Sequence, residues 1–196
     1  MKGIAVRTDG GAIRLVWEQL SGVQPGRGEV LVAVKAAGVN RADLLQAAGK
    51  YPPPQGASPI LGLEVAGEII QIGPEVTGWK GGERVMALLA GGGYAEQVVV
   101  PAGQLIPIPD ALSFSEAAAL PEAFITAYLN IVIEGQFAKG QSVLIHAGAS
   151  GVGAAATQLV RVLGGRVFVT VGSEEKAAFC RSLGAELAVN YREGGE

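Results

Sequence analysis

Residues 142–171 read SVLIHAGASGVGAAATQLVRVLGGRVFVTV, and this stretch decides the fold. A short aliphatic run, Val143-Leu144-Ile145, enters a turn with glycines at 148, 151 and 153. An alanine-rich helical segment follows at once, and a second apolar run over 167–171 comes after it. Strand, glycine turn, helix and strand in this order open a dinucleotide-binding α/β fold. Residues without a β-carbon let the backbone approach a pyrophosphate closely. The unpaired first-turn amides of the helix then meet that negative charge with donors and a favourable dipole. The glycine that usually opens the fingerprint is replaced here by Ala147 or Ala149, depending on register.

Working outward, residues 174–183 read as a helix closed by Gly184, and 187–190 as a third strand. The helix over 151–163 is apolar on nearly every side, which predicts deep burial. Upstream, Ser113-Phe114-Ser115-Glu116 is a capping-box signature opening a helix through Leu120. Pro121 restarts a second helix over about 122–133. The pattern changes here, which divides the chain into domains 1–121 and 122–196.

The first 110 or so residues carry short β signals at 30–36, 64–72, 84–89 and 94–100. Turns at Gly73-Pro74, Gly81-Gly82 and Gly91-Gly92-Gly93 break them, a spacing that predicts a small barrel or sandwich. One helix is embedded there, with Asn40 as N-cap, Asp43 three residues on and Gly49 at its end. Tyr51-Pro52-Pro53-Pro54 then forces an extended segment.

The chain of 196 residues is 49% hydrophobic and 17% charged with 30 glycines, which suits an α/β protein and argues against disorder. A net charge of −3 without a basic cluster argues against nucleic acid or an anionic membrane as partner. The N-terminus reaches charge and glycine too soon for a signal peptide, and no apolar run is expected to approach a membrane span. One cysteine makes no internal disulfide, consistent with the cytoplasm. One cysteine and one histidine also leave zinc without a ligand set. Cys180 reads as a small core hydrophobe; His146 reads as a histidine packed where a strand meets its loop, with a general acid as the alternative.

NAD-specific folds usually place an acidic residue at the end of the second strand to hold the ribose 2′-hydroxyl. Here Val171 leads into Gly172-Ser173-Glu174-Glu175-Lys176. The Ser173 hydroxyl and Lys176 ammonium lie one helical turn apart and can together hold a 2′-phosphate, a reading that favours NADPH. Two other readings stand: Ser173 as a helix cap with Lys176 solvated, or Glu174 or Glu175 facing the ribose.

The segments GVNRADLLQAAGKYPPPQGAS, ILGLEVAGEI, LPEAFITAY, HAGASGVGAAATQL and VTVGSEEKAAF together resemble the zinc-free quinone oxidoreductases of the medium-chain dehydrogenase/reductase superfamily. The resemblance implies an α/β chain with a GroES-like β-rich N-terminal domain followed by the β-α-β-α-β first half of a Rossmann domain. It implies a cleft for NADPH and a small quinone or enone. Zinc-using cousins carry a Cys and a Gly-His-Glu where this chain has Gly38-Val39-Asn40 and Gly62-Leu63-Glu64. By resemblance, Asn40 and Tyr51 line the substrate side and Thr126 approaches the nicotinamide. Gly148, Ala149, Ser150, Gly151, Val152 and Gly153 hold the pyrophosphate, and Ser173, Lys176 and Tyr191 surround the 2′-phosphate. Each has a plainer reading: Asn40 as a helix cap, Tyr51 as a packing residue beside prolines, Tyr191 as a strand-end aromatic. The activity implied is hydride transfer from NADPH to an electron-poor quinone or enone; an enoyl-reductase module and a non-catalytic nucleotide- or partner-binding fragment are the alternatives.

The sequence stops after the third Rossmann strand, where relatives continue into a second half that also carries their homodimer edge. With the usual strand order 3-2-1-4-5-6, the strand over 142–146 is expected to form an exposed edge prone to pairing with another chain.

Overall fold

In the computed structural model, which describes residues 1–193, two compact units part between Pro121 and Glu122. The first begins with an antiparallel hairpin, β1 (Lys2–Asp9) and β2 (Ala12–Gln19), turned by Gly10 and Gly11, both at positive φ. Five further strands follow: β3 (Glu29–Ala37), β4 (Glu64–Ile72), β5 (Arg84–Leu88), β6 (Gln97–Pro101) and β7 (Leu105–Pro107). They form one antiparallel sheet in the order β6-β3-β4-β5-β7. Their β-branched residues supply its core, with Val30, Val32, Val65, Ile69, Val85 and Val100 almost completely buried. The strand expected over 94–100 begins only at Gln97. Tyr94 and Ala95 serve the hairpin instead: the Ile4 amide donates to the Tyr94 carbonyl at 2.8 Å, and Gly3 bridges Ala95.

Helix α1 (Arg41–Ala47) sits between β3 and β4, with Asn40 at its N-cap and Gly49 at positive φ just past its end. Helix α2 (Phe114–Ala117) opens with the expected capping box, the Ser113 hydroxyl accepting from the Glu116 amide while the Glu116 carboxylate accepts from the Ser113 amide. It stops before Leu120. Pro121 then starts α3 (Pro121–Tyr128), which is α-helical only to Tyr128 and continues as a wider π-type turn over Leu129–Glu134. There the Gly135 amide reaches back to the Asn130 carbonyl.

The expectation that no apolar run approaches a membrane span is corrected here. The helical run Phe114–Glu134 has 21 residues, and an 18-residue window within it has a mean hydropathy of 1.3, long and apolar enough by length and composition. Its length arises because two short helices and the π-type turn follow one another almost without a break.

The second unit is a parallel sheet in the order β10-β9-β8, made by β8 (Ser142–His146), β9 (Arg166–Val171) and β10 (Leu187–Asn190). Helix α4 (Gly151–Val162) connects β8 to β9, and α5 (Glu174–Ser182) connects β9 to β10. Central β9 buries Val167, Val169 and Val171 among Val160, Ala177 and Cys180. Cys180 is thus a core residue, and its burial pushes the thiol pKa up. Edge strand β8 leaves Leu144 60% exposed.

Two expectations fail in this unit. Helix α4 is not deeply buried all round: Ala155, Ala156, Thr157 and Val160 are inside, whereas Val152 is exposed and Val162 is 86% exposed. Only one of its faces meets the sheet and α3, through Ala127, Phe124 and Ile145. His146 is exposed rather than packed. Its ring is held from outside the core, with Nδ1 2.9 Å from the Thr170 hydroxyl on neighbouring β9.

Candidate functional site

The β8–α4 turn distributes its small residues by distinct physical needs. Ala147 takes φ 52°, the left-handed conformation that favours glycine. Gly148 lies against β9, where a β-carbon would come within 2.6 Å of Val169 Cβ. At Gly153 a β-carbon would lie 2.6 Å from the carbonyl oxygens of both Ala147 and Gly148, so this glycine lets the helix start close under the turn. Around Gly151, by contrast, a β-carbon would meet nothing within 4 Å. The turn is closed on the protein side and open at Gly151.

Ser150 caps α4, its hydroxyl accepting from the Gly153 amide at 3.0 Å. The amides of Gly151 and Val152 have no protein partner among the described residues. Two free donors at the start of a 12-residue helix, beside open space, match what a phosphate oxygen requires.

A cavity of about 180 Å³ joins this turn to the next one, between β9 and α5; Ala147, Ala149, Ser150, Val171, Gly172, Lys176 and Tyr191 line it. Ser173 is the N-cap of α5, its hydroxyl accepting from the Lys176 amide at 3.3 Å. The cap uses the oxygen as acceptor and leaves the hydroxyl proton to donate, so the capping and ligand readings of Ser173 coexist. Glu174 is drawn away into an ion pair with Arg181, which disfavours it as the ribose ligand. Tyr191 is exposed, and its hydroxyl would lie 2.9 Å from a β-carbon on Gly172. The structure therefore brings Ala149, Ser150, Lys176 and Tyr191 together at one cavity, with Ser173 at its edge. These residues fit an adenosine nucleotide: an open glycine, free helix-start amides, and a cation beside a hydroxyl. Thr126, on α3, does not line this cavity; its carbonyl accepts from Asn130 Nδ2 at 2.8 Å.

In the first unit Asn40 belongs to a buried polar cluster. Its Nδ2 donates to Glu64 Oε1 at 2.8 Å, and its backbone amide donates to Asp43 Oδ2 at 2.8 Å. Tyr94 donates to the same Asp43 oxygen at 2.6 Å. Asp43 is 2% and Glu64 3% exposed. Burial, then the hydrogen bond to Asp43, pushes the Tyr94 phenol above its ordinary range. Gly38 makes room, since a β-carbon there would lie 2.0 Å from Glu64 Oε1. Asp43 Oδ1 and Gln46 Oε1 are buried without a partner among the described residues. Tyr51 stands apart, 49% exposed, its hydroxyl unpaired among the described residues. Asn40 is thus both cap and cluster member, and Tyr51 is not packed.

The roles of Glu64 and Tyr94 are not readable from the sequence. They reach Asn40 and Asp43 across 24 and 51 residues of chain, and only the Gly38–Glu64 juxtaposition, which requires the sheet register, reveals them. Among the described residues no group of three or more His, Cys, Asp and Glu side chains can hold a metal ion.

Comparison with known proteins agrees with both units. The alcohol dehydrogenase GroES-like domain family matches residues 26–110, and the zinc-binding dehydrogenase family matches residues 151–196. The quinone oxidoreductase of Thermus thermophilus, solved also as its complex with NADPH, is 39% identical with a TM-score of 0.81, over 98% of this chain and 61% of that one. The CurK enoyl reductase is 31% identical with a TM-score of 0.86, over 97% of this chain and 60% of that one. A phenolphthiocerol/phthiocerol polyketide synthase of Mycobacterium tuberculosis is 38% identical over 169 residues, which are 86% of this chain and 8% of that protein. This chain spans about three fifths of the solved relatives' length. A GroES-like sheet, a glycine turn opening a parallel sheet and relatives of both reductase kinds place the chain in the medium-chain dehydrogenase/reductase superfamily.

Proposed function

We propose that this chain binds NADPH and forms part of a reductase of electron-poor conjugated carbonyl compounds, with a quinone or enone as acceptor. The observation that carries this reading is one cavity shared by the β8–α4 and β9–α5 turns, lined by Ala149, Ser150, Lys176 and Tyr191, with the free amides of Gly151 and Val152 and the cap Ser173 adjacent to it in the chain. The bound nicotinamide would supply the hydride, and the protein positions and polarises. Gly151 and Val152 donate backbone amides to the pyrophosphate, Gly148, Ala149, Ser150 and Gly153 shape that turn, and Ser173, Lys176 and Tyr191 hold the 2′-phosphate. Thr126 is assigned the approach to the nicotinamide by resemblance to the family alone.

On the acceptor side, Asn40 is the donor to an oxygen that gains negative charge. One Nδ2 proton is committed to Glu64, and the other is available to a ligand. Tyr51, exposed beside its prolines, is the second residue offered to the acceptor. Zinc does not fit: Cys180 is buried in the core of α5, and His146 is tied to Thr170. No step runs through a metal.

The polyketide synthase and enoyl reductase relatives favour a second reading, in which the acceptor is an enoyl thioester. Steady-state turnover of NADPH with a benzoquinone and with crotonyl thioester separates the two. Faster quinone reduction supports the first reading, and faster thioester reduction supports the second. NADPH binding without turnover of either marks a nucleotide-binding piece.

A further inference from the structure

We infer that Arg192 is a second cationic anchor for the 2′-phosphate and sets the preference for NADPH over NADH together with Lys176. The inference rests on the NADPH reading above. At the end of β9, where a carboxylate would hold a free ribose 2′-hydroxyl, the chain has Gly172. A β-carbon on Gly172 would meet three atoms, two from Tyr191 and the third Arg192 Nε at 3.5 Å. The phenol and the guanidinium thus both lie over the β9–α5 turn, which the absence of a side chain at 172 leaves open.

Two hydrogen bonds hold the backbone of this segment. The Arg192 amide donates to Asn190 Oδ1 at 3.2 Å, and the Tyr191 amide donates to the Val171 carbonyl at 3.0 Å. The balance of charge points the same way. Arg166 and Arg181 are neutralised by Glu186 and Glu174, whereas neither Lys176 nor Arg192 has an ion pair among the described residues. Of the nearby carboxylates Glu174 is already taken, and Glu175 and Glu193 are exposed. A phosphomonoester carries nearly two negative charges at neutral pH. One ammonium satisfies it incompletely, and a guanidinium adds a planar fork of donors suited to its oxygens.

The test is a calorimetric titration of the chain with adenosine 2′,5′-bisphosphate and, separately, with adenosine 5′-monophosphate. Arg192→Gln should weaken bisphosphate binding about tenfold, the loss of one charge-assisted hydrogen bond, and leave the monophosphate unchanged. Arg192→Lys should recover part of the loss. Lys139→Gln, which removes an equal charge elsewhere in the unit, should change neither. If Arg192→Gln behaves like Lys139→Gln while Lys176→Gln weakens bisphosphate binding, the inference falls and the NADPH reading stands. If the unaltered chain binds the bisphosphate no better than the monophosphate, both fall.

Discussion

Asn40 Nδ2 lies 2.8 Å from Glu64 Oε1, joining the cap of the helix inserted between β3 and β4 to a carboxylate buried at the start of β4. This bond ties a residue proposed to touch the acceptor to the sheet. Asn40→Ala should destabilise the chain by about 2 kcal/mol, losing both a cap and a donor to a buried charge. Asn40→Ser keeps the cap and should lose only about half as much. Equal losses in urea unfolding of the two variants would mean the cap contributes nothing, and an unchanged Asn40→Ser would mean the Glu64 bond contributes nothing.

Gly38→Ala should disturb the same cluster from the other side. Its β-carbon would stand 2.0 Å from the Glu64 carboxylate, so Glu64 or β3 must move. The expected cost is about 1–3 kcal/mol. An unchanged urea midpoint would show that Glu64 does not occupy this position.

The three small residues of the β8–α4 turn at 147, 148 and 151 should separate folding from binding. Gly148→Ala pushes a methyl into Val169 and should cost about 1–3 kcal/mol of stability. Gly151→Ala projects into open space; the fold should hold while nucleotide affinity falls about tenfold or more. Ala147→Gly should stabilise by about 1 kcal/mol by relieving the left-handed backbone. Thermal melts and titrations of the three variants check these outcomes together. Loss of folding in Gly151→Ala with normal folding in Gly148→Ala would reverse the assignment.

Acid should weaken the start of α2. Hydrogen bonds from the Ser113 hydroxyl and then from its amide hold the Glu116 carboxyl below its ordinary value. A depressed folded-state pKa gives stability that is present above the unfolded carboxyl value and is lost as pH falls through the folded one. Stability measured from about pH 6 down to about pH 3 should therefore fall less steeply in Glu116→Gln than in the unaltered chain. Parallel profiles would refute the cap's contribution.

Much of this arrangement is legible in the sequence, because the signals that govern it are local. The order from β8 to β10 follows from apolar runs, the glycines at 148, 151 and 153, and the serines 150 and 173 that cap α4 and α5. Asn40 is legible only as a cap, because Glu64 and Tyr94 arrive through sheet pairing. The all-round burial expected of α4 fails for a different reason. The hydropathy of Val152, Val162 and Leu163 reports what a side chain tolerates, whereas exposure depends on which surfaces are there to cover it. The strand end at Tyr94 departs similarly, since the hairpin competes for its backbone.

The most direct measurement is calorimetric titration of the purified, folded chain with NADPH and with NADH. NADPH should bind about tenfold more tightly or better, through Ser173, Lys176 and Tyr191. A folded chain that binds neither nucleotide, or binds NADH as well as NADPH, would contradict the assignment of this cavity.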